Sequence, residues 1–186
     1  LVCGRATDFG TTTGIIRLDE NGARDPNFVD AALGAAAGLD FPTTTIIRMA
    51  RQADQRIVVI FVGLKSSAAK YGVARLNENG SLDPSFHIGL VESAGTPQAV
   101  AIDSNNRILV GGNVTKYDGK TVGNLFRLGT DGTVDAGYVF PAPGTVVNGI
   151  APMTDGRVIV TGSFNKMTTP VIRLKADDTL DPNYGV

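Results

Sequence analysis

The chain has 186 residues, 42% of them hydrophobic, with 17 basic and 18 acidic side chains, so it is long enough to bury a core and is nearly neutral. No basic stripe marks a nucleic-acid footprint, no apolar run approaches the roughly 20 residues needed to span a bilayer, and the first residues do not read as a signal peptide. One Cys and one His, Cys3 and His87, exclude an internal disulfide, a His-based triad built from several His, and a Cys/His zinc set.

Taken in order, Leu1 to Thr7 lines up with Leu109 to Thr115 and with Ile159 to Asn165, so the chain enters its first repeat at a second strand and is expected to be part of something longer. Thr11 to Leu18 is the next predicted strand, followed by a hairpin at Asn21-Gly22 and a stop at Asp25-Pro26. Ala31 to Ala37 is rich in Ala and Gly, but with two Gly nearby and no capping box it is a poor helix. Thr43 to Ala50 opens the second repeat, which turns near Asp54-Gln55. The run Ile57 to Val62 that follows is apolar on both faces, a strand that has to be covered on both sides. The third repeat places strands at Ala99 to Ile102, Arg107 to Val110 and Asn124 to Leu128. The fourth repeats that order at Val147 to Ala151, Arg157 to Val160 and Val171 to Leu174.

One pattern recurs four times. An Arg-Leu pair is followed by a turn dipeptide beginning four residues after the Arg, an Asp eight after it and an aromatic eleven after it: Arg17, Asp25 and Phe28; Arg75, Asp83 and Phe86; Arg127, Asp135 and Tyr138; Arg173, Asp181 and Tyr184. The arginines are 58, 52 and 46 residues apart, and a second set, Arg56, Arg107 and Arg157, is spaced 51 and 50. Periods of this size mark repeat arrays and propellers. The Asn-Gly and Asp-Gly dipeptides suit tight hairpins. Asp-Pro ends the ladder, because Pro has no N–H to donate while the Asp carboxylate accepts a bond from the amide two residues on. The aromatic is expected to plug the core.

Three strands with a short fourth in each period give an all-β fold of antiparallel β-propeller blades, about three and a half repeats of roughly 50 residues. The expected division is a partial blade at 1–28 and blades at 29–86, 87–138 and 139–186, together one repeat domain of a longer propeller. The stretch Asp155-Gly156-Arg157-Val158-Ile159-Val160 with Gly162, taken with Arg75 to Phe86, resembles the delta-60 repeat β-propeller family of bacterial and phage proteins. The resemblance covers nearly the whole chain. It departs where Phe61 stands in place of Gly112 and Gly162, and where Ala136 replaces Pro. It implies a propeller and carries over no catalytic residue.

The candidate sites are weighed against plainer roles. Asp19 to Asp25 has oxygen ligands around a Gly, superficially a calcium loop, but the position of Asp19 holds Asn77, Gly129 and Lys175 in the other copies, so no metal or cofactor is expected. The four arginines either ring a channel and bind an anion or bridge to a carboxylate or carbonyl of the adjoining strand or blade; the second is preferred. In a two-residue hairpin residue 25 pairs with 18, so a direct Arg17–Asp25 pair needs a bulge. The loops after the second strands carry Phe9, Tyr117 and Met167, which either form a contact surface for a sugar or a protein or tuck beneath their own loops.

The expected function is a non-catalytic structural and protein-interaction module of an extracellular or virion-surface protein, such as a phage structural component, whose partners are proteins or further blades. The alternatives are a carbohydrate-binding or cell-surface-receptor-binding propeller and, third, a glycosidase using two carboxylates alone.

Overall fold

A computed structural model describes residues 1–5, 10–11, 14–40, 44–142, 144–165 and 170–184. Its local geometry is set by two kinds of turn. After each Arg-Leu pair the chain makes a three-residue loop: Asp19 N–H donates to the Ala23 carbonyl and Gly22 N–H to that of Asp19, and the same two bonds recur at Asn77/Ser81, Gly129/Thr133 and Lys175/Thr179. The third loop residue takes a positive φ, +80° at Gly22, +87° at Gly80, +86° at Gly132 and +65° at Asp178, the pattern of a type I turn closed by a bulge. The second kind precedes Arg56, Arg107 and Arg157, with Gln55, Asn106 and Gly156 in the left-handed position.

These turns differ from the predicted two-residue hairpins, and the difference moves the register. Leu18 faces Arg24, Leu76 faces Leu82, Leu128 faces Val134 and Leu174 faces Leu180. Residue 25 therefore lies opposite Arg17, not Leu18, with the Asp25 amide bonded to the Arg17 carbonyl at 2.8 Å. The bulge required for a direct pair is present in all four copies.

The strands are short or of moderate length and all pair antiparallel. The first repeat has β1 (Val2–Cys3) and β2 (Ile15–Ile16), so among the described residues of the strand expected over Thr11 to Leu18 the ladder consists of two residues and the Leu18 bridge. The second has a four-stranded meander, β3 (Thr45–Arg51), β4 (Ile57–Lys65), β5 (Ala68–Leu76) and β6 (Gly89–Leu90). β6 extends this sheet past Phe86, beyond the expected blade edge. The third has β7 (Pro97–Ile102), β8 (Ile108–Gly112), the small hairpin β9 (Lys116–Tyr117) and β10 (Lys120–Thr121), and β11 (Leu125–Leu128) on the outer side of β8. The fourth has β12 (Gly144–Pro152), β13 (Val158–Phe164) and β14 (Val171–Leu174).

The chain forms two compact units, Leu1–Leu90 and Val91–Val186. In the first, β4 is covered on both faces: Ile57, Val59 and Phe61 join a core with Ile15, Phe28, Leu33 and Ile46, while Val58 and Ile60 on the opposite face are equally buried. A single helical turn, α1 (Leu33–Ala36), forms in the Ala-rich stretch where none was expected. Its Leu33 is fully buried in that core, and tertiary packing outweighs weak intrinsic propensity. In the second unit, Leu109, Leu125 and Phe140 pack with Val147, Val160 and Leu174.

Candidate functional site

Because Asp and Arg sit opposite each other in the ladder, their side chains share a face. Arg17 Nε lies 2.7 Å from Asp25, Arg75 Nε 2.7 Å from Asp83, and Arg127 Nε 2.8 Å from Asp135. Arg173 Nη2 lies 2.7 Å from Asp181. The other carboxylate oxygen of each Asp accepts the amide two residues on, from Asn27, Ser85, Gly137 and Asn183. That turn brings the aromatic back under the guanidinium, 5.2 Å from Phe28, 4.8 Å from Phe86, 4.6 Å from Tyr138 and 4.5 Å from Tyr184. All twelve recurrent residues meet in four Arg-Asp-aromatic clasps, in which ion pairing, an Asx turn and cation–π contact reinforce one another.

The clasps also tie neighbouring repeats within a unit. Arg17 Nη1 donates to the Glu78 carbonyl at 2.9 Å, and Arg127 Nη1 to Asp178 at 2.6 Å, in each case the turn of the next repeat. Arg75 instead reaches Gln52 and Ser85. Two of the four guanidinium groups, Arg17 and Arg127, are thus bonded to a carbonyl or carboxylate of the adjoining repeat's turn.

The electrostatics follow the contacts. The Asn27 amide and then Arg17 hold the Asp25 carboxyl below the usual range, as Arg173 and then the Asn183 amide do for Asp181. At Asp83 burial pushes the pKa up but is outweighed by bonds from Ser85 and Arg75; at Asp135 it is outweighed by Arg127 and the Gly137 amide. Arg127 is raised, its burial outweighed by the two carboxylates it holds. Tyr138 is pushed up by burial first and by Asp178 next.

Of the predicted loop residues, Tyr117 is fully buried and its ring packs on Phe126 at 5.1 Å. It tucks beneath its own loop, so the expectation of an exposed contact fails at this position: the β9–β10 hairpin folds it inward. Phe9 and Met167 lie outside the described residues. His87 is exposed. Among the described residues no group of three or more His, Cys, Asp or Glu is placed to hold a metal ion.

Sequence reasoning missed one feature, a groove of about 630 Å³ in the third repeat between Lys120–Phe126 and Val134–Phe140. Val139 at its lip is 79% exposed. No local pattern signalled it, since its two lining segments, 120–126 and 134–140, meet only on folding.

Repeated antiparallel sheets, each ending in an arginine-clasped turn, define a β-repeat protein of the propeller class. The chain belongs to the β-propeller family described as a domain of unknown function, DUF5122, which matches residues 52–86, 104–138 and 154–184, more than half of the chain. Each match runs from the neighbourhood of the first turn to the clasp aromatic. The clasp itself recurs once more, at Arg17, Asp25 and Phe28, outside the matched windows. No curated protein and no solved structure matches the chain.

Proposed function

We propose that the chain is a non-catalytic structural and protein-interaction module, part of an extracellular or virion-surface protein such as a phage structural component. The observation that carries this reading is the use of the twelve residues of the Arg-Asp-aromatic pattern: each takes part in a clasp that fixes a turn. Six of the acids support the same reading: a carboxylate-only glycosidase needs one carboxyl held protonated near neutral pH, whereas Asp25, Asp83, Asp135, Asp155, Asp177 and Asp181 are shifted downward. The likeness to delta-60 repeats of bacterial and phage proteins directs the reading to a particle or outer surface.

The test is native mass spectrometry of the protein from its source, denatured and then assembled, together with a panel of 4-nitrophenyl glycosides. The reading expects the sequence in a larger chain or a defined assembly from a secreted or particle fraction, with no turnover above buffer. A free 19.4 kDa monomer from the cell lysate, or measurable glycoside hydrolysis, overturns it.

A further inference from the structure

The two faces of a repeat's sheet meet different neighbours. In the unit Val91–Val186, Leu109 of β8 and Leu125 of β11 in the third repeat pack on Val160, Ile172 and Leu174 of the fourth. Across that contact Arg127, opposite Leu109 in the ladder, donates to Asp178 in the fourth repeat's turn. In the unit Leu1–Leu90, Cys3 and Ile15 of the first repeat pack on Val59, Ala74 and Leu76 of the second, and Arg17 donates to the Glu78 carbonyl. Because side chains alternate along a strand, each repeat has a leaving face that carries the clasp arginine and an entering face that receives the repeat before it.

Two of these faces stay open to solvent. On the leaving face of the fourth repeat Ile159 stands opposite Arg173, as Leu109 stands opposite Arg127 in the third. Leu109 is buried, whereas Ile159 and Thr161 are only half-buried. Among the described residues Arg173 hydrogen-bonds Asp181 within its own clasp and reaches no further turn. On the entering face of the first repeat Val2 stands opposite Ile16, with Leu18 two residues on. Position for position these are the residue types of Val160, Ile172 and Leu174, which are buried against the third repeat. Here Val2 is 37% and Leu18 36% exposed, and Ile16 is half-buried.

We propose that the leaving face of the fourth repeat binds the entering face of the first repeat of a second copy of this chain, head to tail. The contact repeats between molecules the one that joins the third repeat to the fourth within a molecule. Ile159 packs on Val2, Ile16 and Leu18 of the second copy, as Leu109 packs on Val160, Ile172 and Leu174. Arg173 donates to the Glu20 carbonyl, which holds in the first turn the place that Glu78, the acceptor of Arg17, holds in the second. The occupant is a copy of this chain because its first repeat carries the same Val-Ile-Leu set that already fits a face of this kind; the second repeat has Val59, Ala74 and Leu76 in those places. A contact between two different patches is heterologous, and it closes into a ring or runs on as a filament. The inference rests on the interaction-module reading and gives it a surface and a partner.

The experiment is sedimentation velocity of the chain of residues 1–186 over a range of concentrations. The wild-type chain is expected to associate as concentration rises. Leu18→Glu spoils the entering face and Ile159→Glu the leaving face; each puts a charge into an apolar contact and is expected to weaken association by about tenfold or more. Mixed in equal amounts, the two variants are expected to form a 1:1 pair and nothing larger, because each keeps the face that the other has lost. Circular dichroism checks that the variants fold, and Val2→Glu and Thr161→Glu provide a second pair with the same expected behaviour. A wild-type chain that stays monomeric up to its solubility limit overturns the contact. So does an assembly that Leu18→Glu and Val2→Glu leave intact, or a mixture of folded variants that stays monomeric. If the wild-type chain is monomeric while the source protein is one longer polypeptide, the second-copy contact is wrong and the module reading stands. Association through these faces by a chain that hydrolyses glycosides keeps the contact and removes the module reading.

Discussion

The clasps of the first and second repeats have the same residues and the same 2.7 Å ion pair, yet they sit in different surroundings. Arg17 and Asp25 keep 30% and 21% of their side-chain exposure, whereas Arg75 and Asp83 keep 4% and 5%. The second pair is enclosed by Gln52, Ser85 and Arg56, whose Nε lies 3.6 Å from Asp83. A repeat motif therefore fixes a geometry, and its energetic weight is set by what the neighbouring segments place over it.

The largest expected difference lies in the carboxylates. Asp83→Ala removes the charge that neutralises a buried guanidinium and is expected to destabilise the chain by about 3–5 kcal/mol. Asp25→Ala removes a solvent-screened partner and is expected to cost a small fraction of that. Urea unfolding followed by circular dichroism measures both. Equal losses would mean that burial does not distinguish the two clasps.

The glycines of the same two turns extend the comparison. Gly22 and Gly80 both have positive φ, but a methyl added at Gly22 meets nothing within 4 Å, while one at Gly80 overlaps the Val29 carbonyl oxygen and comes within 2.7 Å of the Phe28 ring. Val29 N–H also bonds the Asn79 carbonyl at 2.7 Å, so that turn is packed beneath the end of the first repeat. Gly22→Ala is expected to cost about 1 kcal/mol for the left-handed backbone alone, and Gly80→Ala about 3 kcal/mol once overpacking is added. Similar midpoints for the two variants would show that the contact relaxes without cost.

Acid should act on all four clasps. Their Asp pKa values are lowered in the folded chain from an unfolded value of about 3.9. The stability they contribute is present above that value and is lost as pH falls through the lower folded values. Urea midpoints are expected to change little from these groups between pH 7 and 5 and to drop below about pH 4. Asp83→Asn should flatten the drop, and an unchanged acid slope in that variant would assign the titration to other groups.

Much of the scaffold was legible because its determinants are local. The spacing of Arg, Asp and aromatic, the Asx turn and the doubly buried Ile57–Val62 run each depend on a few neighbouring residues. The register was misread at the turns because Asn-Gly fits both a two-residue and a three-residue hairpin, and only the left-handed conformation at Gly alone, with Asn21 outside it, separates them. α1 was discounted because its support comes from Leu33 in a distant core. Tyr117 looked like a rim residue because nothing in Lys116 to Lys120 reveals that its ring packs against Phe126. The groove was overlooked for a related reason: the segments 120–126 and 134–140 that line it come together only in the folded third repeat.

The smallest effect concerns the turn that encloses the second clasp. Gln55 holds φ at +71°, where the fourth repeat has Gly156 at +85° and the third Asn106 at +62°. A side chain in this region is strained by about 1–2 kcal/mol, and Gly removes that strain while adding about 0.5–1 kcal/mol of unfolded-state entropy. Gln55→Gly is therefore expected to stabilise the chain by about 0.5 kcal/mol, and Asn106→Gly by less, since Asn tolerates the conformation better. The Gln55 amide also donates to the Ala53 carbonyl at 3.0 Å, and the Gln55 N–H closes the turn on Gln52, the residue that reaches Arg75. If Gln55→Gly instead lowers the urea midpoint, that side-chain bond holds the turn against Arg75. The gain from relieved strain should then appear only in an Asp83→Ala background, where the buried clasp no longer depends on that turn.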